Sequence, residues 1–285
     1  MAVDPAKVKE LREKTGLPMM ECKRALDKAG DDVETAYEEL RKAGLKAVEK
    51  LAGRSANDGA VGSFVSDDGK TGVLVALRCE TEPVAKNEVF QELLGKLVQV
   101  VAKENPADAA ALEGTKLASG KTVKESLTDL VNQIRENITI GKFVRFETDA
   151  AVQYVHFDNK KGAMVALSGG DAGNADVAEL GKQLGQHIVF MKPAGLSRDK
   201  IDPAVVEKER EIFLAAAKND PKNAKKPQEI MDKIIGGQVE KFVASQCLLE
   251  QAFVRDDKKT VEEYVKSTRT GVTLTDFAYV ATDLE

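Results

Sequence analysis

An internal repeat narrows the folds open to this chain more than any other feature of its 285 residues. The segments 64–66 and 73–77 flank an Asp-Gly turn, which is the pattern of a β-hairpin. A second hairpin pattern follows 90 positions later, with identical residues at five paired positions: Asp68 and Asp158, Gly72 and Gly162, Val75 and Val165, Ala76 and Ala166, Leu77 and Leu167. Because such self-similarity marks a duplicated unit, we expect two structurally related halves.

The helical pattern after each hairpin repeats as well. Identical residues recur at an offset of 87: Glu92 and Glu179, Leu93 and Leu180, Leu97 and Leu184, Gln99 and Gln186, Pro106 and Pro193. Each half then ends in a helical pattern followed by a strand, with the strands at 143–146 and 272–280. The fold class is therefore predicted to be α+β, with a duplicated core in which each unit is a small sheet covered by helices.

Three short helices are predicted before the repeat. Each helical stretch ends at a glycine: Gly16, Gly30 and Gly44. Asp31 or Asp32 can cap the third helix through its carboxylate. The small and polar residues of 45–59 indicate a linker that is helical in part.

A helical hairpin is predicted to interrupt the second half. Between Asp202 and Ser245, apolar residues with helical spacing lie on an outgoing and a return helix. Pro221 and Pro227 sit in the polar tip between the two helices. Because their narrow apolar seams would cover each other, we expect an antiparallel coiled-coil hairpin at about 202–245 that projects from the body.

The length and the hydrophobic content, 42%, are ample for more than one packed core. We assign residues 1–54 to the three-helix domain and its linker. The first α+β subdomain is assigned to residues 55–148. The second subdomain, with the helical hairpin inserted, is assigned to residues 149–285.

Bulk composition argues against nucleic acid or a membrane as a direct partner. A net charge of −5 combines 42 basic with 47 acidic side chains, so no overall basic field would hold a phosphate backbone. The first residues lack the apolar stretch of a signal peptide, and no apolar run approaches the roughly 20 residues that span a bilayer. We therefore expect a cytoplasmic protein.

No motif for covalent chemistry or for a cofactor is found. The three cysteines, Cys22, Cys79 and Cys247, lie far apart and form no C-x-x-C pair, so neither a disulfide framework nor a zinc site is predicted. The tripeptide Gly69-Lys70-Thr71 resembles the end of a phosphate-binding loop, but Phe64 stands where that motif needs glycine. A hairpin turn is the better interpretation.

The histidines and carboxylates give no acid–base argument. His156 alternates within a predicted strand, and His187 lies in an apolar helical stretch, where a hydrogen-bonded packing role is the default interpretation. Glu207 and Glu211 lie on a helix that looks solvent-facing. Residue pattern alone predicts a two-part interaction protein without a cofactor. A peptide-binding adaptor and a hydrolase that uses core carboxylates stay open as alternatives.

The segment from Leu11 to Leu26, LREKTGLPMMECKRAL, resembles the N-terminal signature of the elongation factor Ts family over its whole length. The order of the predicted parts is similar to that family as well. The resemblance implies a three-helix ubiquitin-associated-like domain, a duplicated α+β core and an inserted coiled-coil hairpin. It also implies a guanine nucleotide exchange factor that binds elongation factor Tu, both GDP-bound and nucleotide-free, by non-covalent contacts and with a dimer possible in the complex.

The resemblance implies specific partner-binding residues. Consecutive helical residues point about 100° apart, so one of Met19 and Met20 should lie near the surface, where methionine is an adaptable contact. In the family these positions face the nucleotide domain of elongation factor Tu, and Arg12 would add a charged anchor there. Ile134, in a further signature, and His187, on a later helix, are the other implied contacts.

A second signature departs from the family. Thr-Asp-Phe-Val of the family is Thr81-Glu82-Pro83-Val84 here. The resemblance implies that this segment dislodges magnesium and loosens the nucleotide site of the partner. Glu82 keeps the negative charge, but Pro83 supplies no aromatic wedge, and a proline in a first helical turn is also simply a good helix start. Arg135 replaces a glycine that is usual in the family.

Overall fold

The computed structural model describes residues 3–219, 227–268 and 271–283. Within these ranges the chain forms helices and small antiparallel sheets, so the fold is α+β, as the repeat predicts. Among the described residues, no helix is both long enough and apolar enough to cross a membrane. Pro221, predicted in the tip of the helical hairpin, lies outside the described ranges.

Three helices pack together at the start of the chain: α1 Pro5–Thr15, α2 Met19–Lys28 and α3 Val33–Leu51. Asp4 and Asp32 cap α1 and α3, because each carboxylate accepts a backbone amide of the first turn. Leu11, Cys22 and Leu26 are fully buried between the helices. These helices therefore have a small apolar core of their own.

The third helix does not end at Gly44, where the glycine pattern predicts its end. It continues to Leu51, so the first part of the predicted linker is helical. Gly44 instead permits close packing, because a Cβ atom built on it would lie 2.1 Å from Nδ2 of Asn132. In sequence, a glycine that ends a helix looks the same as one that lets two helices approach.

The first half contains a three-stranded antiparallel sheet in the order β1-β2-β3. Its strands are β1 Asp58–Val65, β2 Thr71–Cys79 and β3 Thr139–Glu147. Between β2 and β3 the chain forms α4 Glu82–Ala85, α5 Glu88–Glu104, α6 Ala109–Gly114 and α7 Val123–Ile134. The apolar spacing predicts one helical stretch from Val84 to Lys103. The structure divides it, because Asn87 adopts an extended conformation and its side chain caps α5 by accepting from the amide of Val89.

The second half repeats this order. Its elements are β4 Ala150–Val155, β5 Lys161–Ser168, α8 Ala175–Met191, α9 Pro203–Asn219, α10 Gln228–Gln246, β6 Ala252–Phe253, β7 Asp256–Thr260, α11 Val261–Ser267 and β8 Thr273–Ala281. The sheet order is β4-β5-β8, and β6 pairs with β7. The inserted helices α9 and α10 bury Ala217, Met231 and Ile235 between them.

The two sheets pack against each other through the faces that their helices leave open. Val61 and Leu74 of the first sheet meet Ala151 and Met164 of the second in one buried cluster. Strand β2 is therefore covered on both faces, by α5 on one side and by the second sheet on the other. This explains its unbroken buried run from Gly72 to Leu77.

The turn of each hairpin docks on the first strand of the other half. The carbonyl of Gly69 accepts from the amide of Ala151, and the carbonyl of Asn159 accepts from the amide of Val61, both at 2.7 Å. These pairs correspond at the 90-residue offset of the repeat. The contact is reciprocal, so the two halves are related by an approximate twofold arrangement.

Candidate functional site

The segment Thr81–Val84 forms the start of the short helix α4, directly after β2. Thr81, Glu82 and Pro83 are exposed, whereas Val84 is half-buried against the core of the first half. Pro83 lies in the first turn of α4, where a missing amide proton is no loss. The segment thus presents its first three side chains to solvent while Val84 holds it to the body.

The carboxylate of Glu136 fixes this segment. Its Oε2 accepts from the amides of Glu80 and Thr81, both at 3.1 Å, and its Oε1 accepts from the Thr81 hydroxyl at 2.7 Å. In the opposite direction, Glu80 accepts from the amide of Asn137 at 2.7 Å. Hydrogen bonds to a charged acceptor are strong, so the end of β2 and the residues after α7 are firmly joined.

Charges from both halves meet beside α4. Glu82 pairs with Lys86 at 2.7 Å. The hydrogen bond from Lys86 lowers the pKa of the Glu82 carboxyl, and the positive charge of Lys160 lowers it further. Lys160 belongs to the second half and bonds Asp58 at 2.8 Å, an interaction that raises the pKa of the lysine ammonium. The second hairpin therefore contributes to the electrostatics around Glu82.

The thiol of Cys79 lies beneath the segment Thr81–Val84 and is unreactive. It donates to the carbonyl of Thr81 at 3.2 Å. Burial raises its pKa to about 12, so it stays protonated at neutral pH and is a poor nucleophile. The site offers hydrogen bonds and charge rather than covalent chemistry.

The turn of the second hairpin, residues 156–161, stands beside the same region. Lys160 in this turn makes the ion pair with Asp58. Phe157, near the tip of the turn, is 88% exposed. Sequence reasoning does not single out Phe157. Glu136 lies in the same family signature as Ile134, but its contacts with Glu80 and Thr81 are not predicted, because those residues are distant in sequence.

Met19 and Met20 begin α2 and are 54% and 61% exposed. Both are at the surface because Leu17, Cys22 and Leu26 take the inward positions of this segment. Arg12, on α1, is exposed as well. Two adjacent flexible apolar side chains on the surface of a small helical unit are a suitable contact for a protein partner.

Ile134 and Arg135 lie where the N-terminal helices meet the core. Ile134 is half-buried and packs against the core of the first half, which leaves only part of it for a partner. Arg135 ends α7 in the left-handed conformation, with φ at +69°, which favours glycine. Its guanidinium bonds Glu21 of α2 at 2.7 Å, and Arg41 of α3 pairs with Glu125 of α7.

His187 lies in the interior of the second half, with 0% of its surface exposed. One ring nitrogen bonds Gln251 at 2.9 Å, and Nδ1 accepts from the amide of Val254 at 3.3 Å. The ring stacks on Phe253 with centroids 5.6 Å apart. This geometry differs from the direct partner contact that the resemblance implies, because helix α8 turns His187 inward among these residues.

The predicted site residues therefore fall on four parts of the molecule. Arg12 and the two methionines lie on the N-terminal helices, the segment Thr81–Val84 lies at the start of α4, Ile134 lies at the end of α7, and His187 lies inside the second half. Within the described ranges, no group of three or more histidine, cysteine, aspartate or glutamate side chains is arranged to hold a metal ion.

The family model described as Elongation factor TS matches residues 80–282. The chain belongs to the elongation factor Ts family. Elongation factor Ts of Azoarcus sp. (strain BH72) is 45% identical over 262 residues, covering 91% of this chain and 84% of the relative. Elongation factor Ts of Cytophaga hutchinsonii is 37% identical over 279 residues, covering 98% of each chain. That of Desulfovibrio desulfuricans is 38% identical over 274 residues, covering 94% of this chain and 92% of the relative.

Membership in the elongation factor Ts family makes this chain a translation elongation factor that serves protein biosynthesis. The family match begins one residue before Thr81, so it contains the first half from α4 to β3 and the second half from β4 to β8, whereas β1 and β2 precede it. The N-terminal helices precede that match, but the Cytophaga relative covers 98% of the chain, so the similarity extends into them.

Proposed function

We propose that this chain is the guanine nucleotide exchange factor for elongation factor Tu. It binds the GDP-bound form, promotes the release of GDP, and leaves when GTP binds. Membership in the elongation factor Ts family is the observation that carries this proposal. Exchange needs no covalent step and no cofactor, because it requires only a complex in which GDP is bound less tightly. The proposed place of action is the cytoplasm.

The segment Thr81–Val84 is the part proposed to act at the magnesium ion and the nucleotide. Its exposure supports this role, as does its attachment through Glu136, which keeps it in one position before the partner arrives. Glu82 acts through its negative charge, which the lowered pKa of its carboxyl keeps ionised. Pro83 adds stiffness but no aromatic ring.

Arg12, Met19 and Met20 are proposed to bind the nucleotide domain of elongation factor Tu. Their exposure on the N-terminal helices supports this contact. The accessible part of Ile134 would extend it.

His187 is proposed to act on the partner indirectly. It holds the backbone of Val254, which is exposed, and it belongs to the same helix as the exposed Phe190. These two side chains can touch a partner from the surface above the buried ring.

The binding of guanine nucleotide to elongation factor Tu and the binding of this chain to it are thermodynamically linked. If this chain lowers the affinity of elongation factor Tu for guanine nucleotide by some factor, the nucleotide lowers the affinity for this chain by the same factor. Binding of GTP therefore ejects the exchange factor and completes the cycle without any further energy source.

A finer division of the architecture belongs to this proposal. Residues 1–54 are taken as a ubiquitin-associated-like domain with its linker, and residues 55–148 and 149–285 as the two core subdomains. The separate apolar core of α1 to α3 supports the first assignment. The apolar residues that α9 and α10 bury between each other support a coiled-coil hairpin at about 202–245.

A peptide-binding adaptor is the second candidate. The exposed Met19 and Met20 on a small helical unit favour it. An adaptor would bind its partners whether or not they carried a nucleotide, whereas an exchange factor should prefer the nucleotide-free GTPase.

The deciding experiment measures release of a fluorescent GDP analogue from elongation factor Tu. Catalytic amounts of this chain should accelerate release in the presence of excess unlabelled GDP, and the same amounts should leave an unrelated GTPase unaffected. An unchanged rate at stoichiometric protein would show that the proposal is wrong. Binding that is independent of nucleotide would favour the adaptor.

A further inference from the structure

Phe157 has a position that the fold itself does not require. At 88% it is the most exposed of the exposed large hydrophobic side chains in the described ranges. Its ring rests against the ring of His156, with centroids 4.4 Å apart. Single exposed apolar residues are common on protein surfaces, so exposure alone assigns no role. The role of Phe157 is instead inferred from the residues around it.

The sister turn in the first half shows that this turn forms without an aromatic residue. In each turn a backbone amide at the left-handed residue closes the turn at 2.8 Å, from Gly69 to Ser66 and from Asn159 to His156. An aspartate then accepts the next amide in both turns. The position of Phe157 is occupied by Asp67 in the first turn, and Asp67 is also exposed. The phenyl ring is therefore dispensable for the turn.

A continuous set of contacts joins this turn to the segment Thr81–Val84. Lys160 bonds Asp58 at 2.8 Å. Asp58 is the cross-strand partner of Cys79, whose thiol bonds the carbonyl of Thr81 at 3.2 Å. Neighbouring strands lie about 5 Å apart, so the turn and the start of α4 border the same patch of surface. The charge of Lys160 also reaches Glu82.

We propose that Phe157 is the aromatic side chain that this chain inserts into the nucleotide domain of elongation factor Tu, next to the segment Thr81–Val84. The inference rests on the proposed function. Pro83 has no ring to insert, while Phe157 presents almost its whole ring to solvent on the adjoining turn. Covering an exposed ring in an apolar pocket is a strong source of binding energy, and buried aromatic residues are frequent hot spots of interfaces. In this chain the exposed ring stands on the turn of the second half rather than at the start of α4.

The test compares GDP release from elongation factor Tu for the parent chain with release for Phe157→Ala and for Phe157→Asp. The aspartate variant carries the residue of the sister turn, so it preserves a turn that this chain already forms. Both variants should reduce the catalytic efficiency of release by about tenfold or more, the loss expected when an interface hot spot is truncated. Asp67→Ala, the matched change in the first turn, should stay within about twofold of the parent.

The outcomes separate the two proposals. Variants with parental thermal unfolding curves and slow release support the wedge. Variants that release GDP as fast as an active parent overturn the wedge and leave the proposed function standing. A parent chain that does not accelerate release overturns both. Equal losses for Asp67→Ala and Phe157→Ala would also overturn the wedge, since the effect would then belong to either turn.

Discussion

At the scale of single residues, the imidazole of His187 is held neutral by its surroundings. Burial lowers its pKa, and this outweighs the opposing effect of the hydrogen bond with Gln251. Because Nδ1 accepts from the amide of Val254, the proton lies on Nε2 and is donated to Gln251. The amide of Gln251 in turn donates to the carbonyl of Ser245 at 2.6 Å. One neutral ring therefore ties α8 to the end of the inserted helices.

The lowered pKa of His187 predicts a pH dependence of stability. An unfolded histidine has a pKa of about 6.5, so below that pH the unfolded chain takes up a proton that the folded chain resists. The stabilising contribution is thus complete above about pH 6.5 and is lost as the pH falls towards the folded pKa. The free energy of unfolding in urea should decrease from pH 7.5 to pH 5.5, and more steeply for the parent than for His187→Gln.

Equal pH dependences of the free energy of unfolding for the parent and for His187→Gln would show that the pKa of His187 does not change on folding.

The sequence predicts the features of the site that neighbouring residues determine, but not those that depend on residues distant in sequence. Local helix geometry predicts that one of Met19 and Met20 is exposed, and the structure shows that both are. The burial of His187 results from contacts with residues more than 60 positions away, and the resemblance alone implied a surface role. The carbonyl of Asn159, in the turn that carries Phe157, accepts from the amide of Val61 in the other half, so the position of this turn also depends on a distant segment.

At the scale of elements, Glu136 is expected to control the position of α4. Glu136→Ala removes the acceptor of three hydrogen bonds, from the amides of Glu80 and Thr81 and from the Thr81 hydroxyl. We expect a loss of about 1–3 kcal/mol in the free energy of unfolding and slower GDP release from elongation factor Tu. Thermal unfolding and the fluorescence assay measure the two effects.

Glu92→Ala is a suitable control for this variant. It removes a carboxylate whose pair with Lys96 is solvent-exposed, and such pairs contribute little to stability. Release by Glu136→Ala at the rate of Glu92→Ala would mean that the start of α4 does not need this anchor.

In the two helix–sheet interfaces, the large and the small side chains have changed places between the strand and the helix. In the first half Gly62 on the strand faces Leu94 and Val98 on α5. At the corresponding positions of the second half, Val152 on the strand faces Gly181 on α8. Large and small side chains thus fill the same space from opposite sides.

This exchange predicts opposite effects for two similar substitutions. A Cβ atom on Gly181 would lie 2.5 Å from Cβ of Val152, so Gly181→Ala should destabilise the chain by about 1–3 kcal/mol in spite of a better helix propensity. Gly95 on α5 has nothing within 4 Å of such an atom, and Gly95→Ala should stabilise by about 0.5–1 kcal/mol. Urea unfolding measures both. If both variants gain stability, the packing at Gly181 is looser than described.

The elements themselves show which patterns are local. The hairpins were predictable because their turns are closed by adjacent residues such as Asp68 and Gly69. The end of α3 was not, since Gly44 is placed by Asn132 of a distant helix. The apolar spacing does not reveal the break at Asn87, because it continues across that residue, although asparagine is a common helix cap.

At the scale of the whole molecule, the inserted helices are expected to be separable from the core. The apolar residues of α9 and α10 pack against each other. The segments that enter and leave the insertion are joined at its base, where the amide of Ala194 donates to the carbonyl of Gln246 at 3.0 Å. Arg198 holds Glu240 and Glu250 there at 2.6 Å. Replacing residues 205–238 by a short glycine–serine linker keeps these contacts.

The shortened chain should retain a cooperative thermal transition and at least part of its activity in GDP release. Calorimetry and the fluorescence assay give the two readouts. A shortened chain with no cooperative transition would show that α9 and α10 are part of the core rather than an addition to it.

The opposite placement of large and small side chains in the two helix–sheet interfaces also has an evolutionary consequence. Recombination between the two halves of the gene would be tolerated only when a hairpin and the helix after it travel together. A crossover between them would set Val152 against a leucine, or leave Gly62 opposite a glycine and open a hole. Gene conversion limited to a hairpin or to its helix would therefore destabilise the chain, which lets the two halves keep different side chains, such as Phe157 in one turn and Asp67 in the other.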